Sequence, residues 1–413
     1  MTVEETVIFD CFGKKITLPM QKIILLYSKD AMSMENFPRY GNSYWKTPNF
    51  DEMVENGTEF LRHYTAAAST SMAFSAMLTG KNPYEFTDRK FYTEVQPTQF
   101  ETIFSRLQAE GYDCHILWSP DYMTGAWPYV RCFGDESRTH IHVLEMQQTC
   151  AIQRPHDFTL ERDDVLLEKT KQLIYDKLNS IPLTPKQFIW MHLPHVLRGR
   201  CSYGDDIDVF DEILGFARKK YGDESIYITA DHGHMNLHKN IMAYGFHVYN
   251  LTCQVPLITP RIDGLKKVEG ITSHTDLMDI ILEGRIPKHD YVLTDTQYYC
   301  QPDRRLAVIG QRYKYIYNKR SRTEELYDLE WDPQERYNLL ERDRYDNDKG
   351  ELKRITELYF YPYRSEAMEA LKGLRAKKDV VWRNGTWSEE AYVSARNTVR
   401  HIKARIRTKL KKC

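Results

Sequence analysis

Ile226-Tyr227-Ile228-Thr229-Ala230-Asp231-His232-Gly233 is the stretch whose reading decides the fold. An apolar run of this kind, closed by a turn residue, reads as a strand buried on both faces, as in a parallel sheet. Its next two side chains, a carboxylate and an imidazole, then stand at the strand's carboxyl edge, where open α/β sheets place their sites. Both groups suit a borderline divalent ion such as Zn²⁺ or Mn²⁺. The dipeptide alone is weak, because a strand-end Asp is more often a turn former or a helix cap. A metal reading therefore needs further ligands and a nucleophile elsewhere in the chain.

Working outward, helix-like and strand-like pieces alternate. Thr6 to Leu18 reads as a hairpin turning near Gly13, followed by an apolar strand from Ile23 to Tyr27 that leads into Asp30. Thr47-Pro48-Asn49 looks like a helix start, with Phe50, Met53 and Phe60 as apolar positions and Gly57 as the stop. Phe100 to Glu110, Val165 to Leu178 and Ile207 to Tyr221 read as helices. His115 to Trp118 and Phe188 to Met191 read as strands. This alternation predicts an α/β fold, a mostly parallel sheet between two layers of helices. Leu306 to Gly310 and Tyr313 to Tyr317 look like antiparallel partners, which points to a small second sheet. We therefore divide the chain into an α/β domain with its hairpin (1–300), a small β subdomain (301–345) and a helical, basic tail (346–413).

Composition sets outer bounds. The 413 residues are 42% hydrophobic, enough for one large core. No apolar run approaches the roughly 20 residues that span a bilayer, and the first residues do not have the look of a signal peptide. The eight cysteines show no CxxC spacing, which speaks against a structural zinc site. Their scatter fits reduced thiols, so a cytoplasmic location is expected. The net charge is −1, yet Arg396 to Lys412 holds eight Lys or Arg and no acid, leaving about −9 on the rest by difference.

Chemistry gathers at three places. Asp30 ends the first long strand. Ser69-Thr70-Ser71 opens a short helix that Gly80 stops, which places hydroxyls at the positive end of a helix dipole. Such a place binds phosphate or sulfate and eases formation of an alkoxide; the plain alternative is that Ser69 or Thr70 is merely a cap. Asp231-His232 is the third.

These residues resemble the sulfatase-like branch of the alkaline phosphatase superfamily, which includes the phosphoglycerol and phosphoethanolamine transferases. Asp30-Ala-Met-Ser-Met-Glu-Asn-Phe37 resembles the family's first metal-binding strand end, and Thr47-Pro-Asn-Phe-Asp51 its Thr-Pro-Asn-Leu-Asp segment. Leu78-Thr-Gly-Lys81 resembles the sequence after the nucleophile helix, and counting back from Gly80 by the family spacing lands on Thr70. Met191-His-Leu-Pro-His195, Thr229-Ala-Asp-His-Gly233, Gly245-Phe-His-Val-Tyr249, Ser273-His-Thr-Asp-Leu277 and Glu325-Leu-Tyr-Asp-Leu-Glu-Trp-Asp-Pro333 follow in the family's order. The resemblance implies an alkaline-phosphatase-like fold, an enzyme working as hydrolase or transferase, and one divalent metal, Mn²⁺ or Zn²⁺ ahead of Mg²⁺ or Ca²⁺.

The departures narrow the chemistry. Sulfatases carry Cys or Ser at the nucleophile and then X-Pro-X-Arg, the signal for conversion to formylglycine. Here Thr70 is followed by Met72 and Phe74 at the Pro and Arg positions. Ala31 stands where sulfatases present a second Asp. The resemblance then implies a four-ligand site of Asp30, Thr70, Asp231 and His232, as in threonine phosphotransferases. Thr70 would attack phosphorus and form a phosphothreonine. His192, His195 and His247 are candidates for contacting the non-bridging oxygens, with His192 and His195 also candidates for protonating the leaving group. His234 is expected beside the site, His274 in a structural role, and Lys29 on the other side of the strand end. Two other readings stay open: a sulfatase working without formylglycine, and an inactive binding protein of the same fold.

Substrates implied by the resemblance are phosphate or sulfate esters, among them glycans or lipid-linked glycans in surface polysaccharide modification. Val399, Ile402, Ile406 and Leu410 recur at helical spacing among Arg and Lys. This basic amphipathic helix packs on the domain or makes a peripheral contact with anionic lipid. No nucleic-acid partner is expected.

Overall fold

The computed structural model describes residues 5–9, 15–19, 22–86, 101–118, 136–144, 163–193, 207–235, 238–241, 244–296 and 304–342. His195, the chain beyond residue 342 and the basic helix lie outside the described residues.

Strands β1 (Glu5–Phe9) and β2 (Lys15–Pro19) form the expected antiparallel hairpin. The main sheet is built from β3 (Lys22–Lys29), β4 (Thr58–Tyr64), β5 (Asp113–Trp118), β6 (Thr139–Val143), β7 (Lys186–Leu193), β8 (Ile226–Ala230), β9 (Leu257–Thr259) and β10 (Lys267–Ser273). Its order is β10-β4-β9-β8-β3-β7-β5-β6, and every pairing is parallel except those made by the short β9. The mostly parallel α/β expectation is met.

Both faces of this sheet are covered, and β3 shows how. Leu25 and Tyr27 point into one core with side chains of α1 (Pro48–Asn56), such as Phe50 and Met53. Ile24 and Leu26 point into the other with Phe74, Met77 and Leu78 of α2 (Thr70–Thr79). Alternation with period two, apolar on both sides, is what a central strand requires. After α3 (Pro83–Phe86), the helix α4 (Ile103–Ala109) joins the α2 face. The helices α5 (Asp163–Ser180) and α6 (Ile207–Tyr221) join the α1 face.

The structure corrects the sequence reading at several points. Phe60 does not belong to α1, because the chain turns out of the helix at Gly57 and Phe60 lies in β4. That strand escaped notice because Glu59 interrupts its apolar pattern; Glu59 is buried against Arg39 at 3.0 Å. Helix α4 starts at Ile103 rather than Phe100, since the Thr102 hydroxyl accepts from the Ser105 N–H at 3.1 Å and sets the boundary. Thr47 occupies the cap position of α1 without a side-chain bond. Asp211 of α6 supplies it instead, accepting from the Phe50 N–H at 2.8 Å and the Asn49 N–H at 3.2 Å.

The short helix α7 (Asn250–Cys253) precedes β9, and α8 (Leu277–Glu283) follows β10. The small sheet begins earlier than expected, at β11 (Tyr291–Asp295), and continues through β12 (Arg305–Gly310), β13 (Tyr313–Asn318) and β14 (Glu324–Asp328), all antiparallel. It grips the segment ahead of α2: Ala68 N–H donates to the Asp295 carbonyl at 3.0 Å and Asp295 N–H to the Ala66 carbonyl at 3.1 Å. A buried pair, Lys314 Nζ to Glu335 Oε1 at 2.8 Å, ties β13 to the segment after β14.

Candidate active site

Strand β3 lies between β7 and β8, so three parallel strands end side by side. Lys29 pairs with Ala230 on one side and with Leu193 on the other. Asp30 and Asp231, each the next residue after its strand, therefore leave the sheet as neighbours. The structure brings together Asp30, Asp231, His232 and Thr70. His232 Nε2 lies 3.3 Å from Asp231 Oδ2, 3.6 Å from Asp30 Oδ1 and 3.1 Å from Thr70 Oγ1. Thr70 Oγ1 lies 3.5 Å from Asp30 Oδ1. Asp30, Asp231 and His232 are fully buried, while Thr70 is half-buried.

The backbone is shaped around this cluster. Ala31 takes a left-handed conformation, φ 55°, which turns its N–H onto Asp231 Oδ1 at 3.0 Å. Such a conformation in a residue with a Cβ costs about 1 kcal/mol or more and persists where the surroundings impose it. The His232 N–H donates to the same oxygen at 2.8 Å. Gly233 is required by close approach: a Cβ there would sit 2.0 Å from the Leu251 carbonyl oxygen. Thr70 is the first residue of α2, and Ser69 holds the cap position without a side-chain capping bond. The plain capping reading of Thr70 is not needed, since its hydroxyl is engaged with His232.

The donor set fits a divalent cation. His232 Nδ1 faces the Gly233 carbonyl oxygen at 2.9 Å, so the ring proton sits on Nδ1 and the lone pair on Nε2 points at carboxylate oxygens. Asp231 Oδ2 is buried without a hydrogen-bond partner. Ligand atoms of Asp30, Asp231 and His232 all lie within 4.8 Å of one another. A lone pair and two carboxylates converging in a buried space repel unless a cation sits among them. Burial would raise the Asp231 pKa, but the imidazoles of His232 and His192 and two backbone donors hold it below the ordinary carboxylate value.

The histidines divide. His192 is buried, and its Nδ1 lies 2.8 Å from Ser28 Oγ, its partner in the strand register. Trp190 Nε1–H donates to the same hydroxyl at 3.1 Å. Burial pushes the His192 pKa down to about 4, so the ring is neutral near pH 7. In that form the ring can take part in hydrogen bonding. His247 stands against Arg305, whose Nη1 donates to its Nδ1 and to the Phe246 carbonyl oxygen at 2.7 Å. Arg305 was not anticipated, because it arrives from β12, far away in sequence. His234 is buried next to the cluster, with its N–H on Ser33 Oγ at 3.2 Å. His274 donates from Nε2 to the Ala230 carbonyl oxygen at 2.9 Å and so braces the end of β8, consistent with a structural role. Lys29 is buried with Nζ 3.2 Å from the Asp30 carbonyl oxygen.

Comparison with known proteins bears on this arrangement. The sulfatase family model matches residues 21–196. A 2-O GAG sulfatase has a similar fold, with a TM-score of 0.64 and 17% identity, covering 84% of this chain and 94% of its own. A structure solved in complex with its substrate D-glucosamine-2-N,6-O-disulfate gives a TM-score of 0.61 and 15% identity, covering 84% and 98%. The phosphonate monoester hydrolase of Agrobacterium radiobacter gives 0.56 and 16%, covering 86% and 96%. The chain thus shares the alkaline-phosphatase-like α/β fold of these structures, and its residues 21–196 match the sulfatase family model.

Proposed function

We propose that this protein transfers a phosphoryl group from an ester through Thr70, to water or to an acceptor hydroxyl. The observation that carries the reading is the Thr70 hydroxyl, half-buried and 3.1 Å from His232 Nε2, at the rim of the buried acid–imidazole cluster. Threonine has no route to formylglycine, which supports phosphorus over sulfur as the centre attacked. Asp30, Asp231 and His232, with the Thr70 oxygen, would hold one divalent ion, Zn²⁺ or Mn²⁺ by donor type. When bound, that ion lowers the pKa of the hydroxyl and neutralises charge on the transferred group.

The residues then have separable tasks. The start of α2 keeps Thr70 Oγ1 facing the cluster. Its Oγ1–P bond would form as the ester P–O bond breaks and the hydroxyl proton passes to solvent. Water or the acceptor hydroxyl would then displace Oγ1 from phosphorus, which returns a proton to Oγ1. The departing oxygen takes a proton from an imidazole, for which His195 and His247 are the candidates, while His192 stays neutral and acts by hydrogen bonding. Glycan-linked esters are the substrate class we favour, because structures of similar fold include a GAG sulfatase and a sulfated glucosamine complex. Sulfate-ester hydrolysis by the unmodified hydroxyl is the second reading, favoured by the same structures. For the basic helix near the C-terminus we propose peripheral contact with anionic lipid, which salt-sensitive liposome binding of full-length and truncated chains would test.

The deciding experiment incubates the protein with phosphodiester, phosphomonoester and sulfate-ester substrates in the presence of Zn²⁺ or Mn²⁺, wild type beside Thr70→Ala. We expect phosphate-ester turnover in the wild type and a loss of roughly a thousand-fold or more in the variant, as for other lost nucleophiles. A phosphorylated Thr70 peptide should appear after acid quench. Equal rates in the two proteins would remove Thr70 from the chemistry, and turnover of sulfate esters alone would move the reading to the sulfatase alternative.

A further inference from the structure

We propose that Tyr244 is the residue that fixes the plane of His232 and forms the wall along which substrate approaches Thr70. This rests on the reading of Asp30, Asp231 and His232 as a metal site. The Tyr244 ring is stacked on the His232 imidazole, with centroids 4.6 Å apart and planes 24° from parallel. It also meets His234 at 5.9 Å, tilted by 59°.

Two restraints of different kind act on the His232 ring. The Nδ1–H bond to the Gly233 carbonyl oxygen, 2.9 Å, sets the direction in which Nε2 points within the plane of the ring. It leaves the ring free to rock about that bond. The stacked phenol removes this freedom, because tilting the imidazole would break face-to-face contact over the whole ring. Together they aim Nε2 at the space shared with Asp231 Oδ2, 3.3 Å away, and Thr70 Oγ1, 3.1 Å away. Groups that orient a metal-binding imidazole in this way affect metal affinity without touching the ion.

Exposure gives the second half of the inference. Asp30, Asp231 and His232 are fully buried. Thr70 and Tyr244 both touch His232, and both are half-buried. In the approach we propose, an ester comes in on the side of these two partly exposed residues, with its phosphorus at Thr70 Oγ1 and its organic part along the Tyr244 ring. A flat aromatic wall suits esters whose organic part has a ring face, a sugar or an aryl group, over a small alkyl group.

The test uses the full chain stripped of metal and titrated with Zn²⁺ by calorimetry, wild type beside Tyr244→Phe, Tyr244→Leu and Tyr244→Ala. We expect Zn²⁺ binding within about two-fold of wild type for Tyr244→Phe, which keeps the stacked ring, and weaker by about ten-fold or more for Tyr244→Leu and Tyr244→Ala, the range found for lost outer-shell partners. Circular dichroism of each metal-free variant establishes that it is folded, and the leucine variant keeps bulk where alanine leaves a gap. At saturating Zn²⁺, KM for 4-nitrophenyl phosphate should rise in Tyr244→Leu by more than KM for methyl phosphate. Wild-type Zn²⁺ affinity in the leucine variant would overturn the positioning role, and equal changes in the two KM values would overturn the wall. If Tyr244 behaves as stated while Thr70→Ala remains active, the nucleophile reading fails alone. If the wild type binds no Zn²⁺, both fall.

Discussion

Asp231 carries opposed demands in one side chain. One oxygen is held by the Ala31 and His232 N–H groups, at 3.0 and 2.8 Å, while the other is buried with no hydrogen-bond partner beside a second buried carboxylate, Asp30. The first arrangement is structural, and the second is one that a bound cation would satisfy. Asp231→Asn keeps an oxygen for the two N–H donors and removes the charge. We expect this variant to lose Zn²⁺ affinity by about a hundred-fold or more, read by calorimetry. Its metal-free form should lose stability in urea unfolding, because the folded protein holds the Asp231 carboxyl below its ordinary value and so favours its charged form. Metal-free stability equal to that of wild type would show that the charge is not satisfied within the protein.

Long-range contacts between elements differ in whether they bear on the site. Asp211 on α6 closes the N-terminus of α1 through the Asn49 and Phe50 N–H groups. Asp211→Ala should therefore cost roughly 1–2 kcal/mol in denaturant unfolding, the scale of a lost cap, with Zn²⁺ affinity unchanged because the pair lies away from the strand ends. Gly233 is the contrasting case. With the Leu251 carbonyl oxygen 2.0 Å and Ser33 Oγ 2.4 Å from an added Cβ, Gly233→Ala must displace the turn that carries His232. A loss of roughly 1–3 kcal/mol is expected from overpacking, accompanied by weaker Zn²⁺ binding. Comparing the two variants separates general destabilisation from damage to the site.

On the scale of the whole molecule, buried histidines make stability depend on pH. Burial pushes His115 and His192 down to about 4 and His274 to about 3, from an ordinary 6.5. As pH falls below 6.5 the unfolded chain takes up these protons and the folded chain does not, so stability falls with pH from there to about 4. Each group adds a slope of roughly 1 kcal/mol per pH unit across that window. Urea unfolding of the metal-free protein between pH 7 and pH 4.5 should show the decline, and His115→Gln, far from the metal ligands in the sheet order, should flatten it by about one proton. A stability that stays constant across this range would contradict the burial of these rings.

The sequence by itself determined the central strands, most of the helices and the four residues of the cluster. Local signals suffice for the elements, with apolar runs for β3, β7 and β8 and Gly80 to stop α2, while the resemblance to the sulfatase-like branch is what joined Asp30, Thr70, Asp231 and His232 into one expected site. Only the tertiary structure decided what surrounds them. Ser28 against His192, Asp211 against α1, Arg305 against His247 and the Tyr244 ring on His232 are contacts between separate segments, set by strand register and turn geometry. The mixed strands β4 and β10 stayed hidden for a related reason, since their polar residues find partners only once the chain is folded. A sequence reports which groups are present and roughly where each element ends. Which face of an imidazole is covered, and which side of the cluster meets solvent, depends on packing between elements that no local pattern encodes.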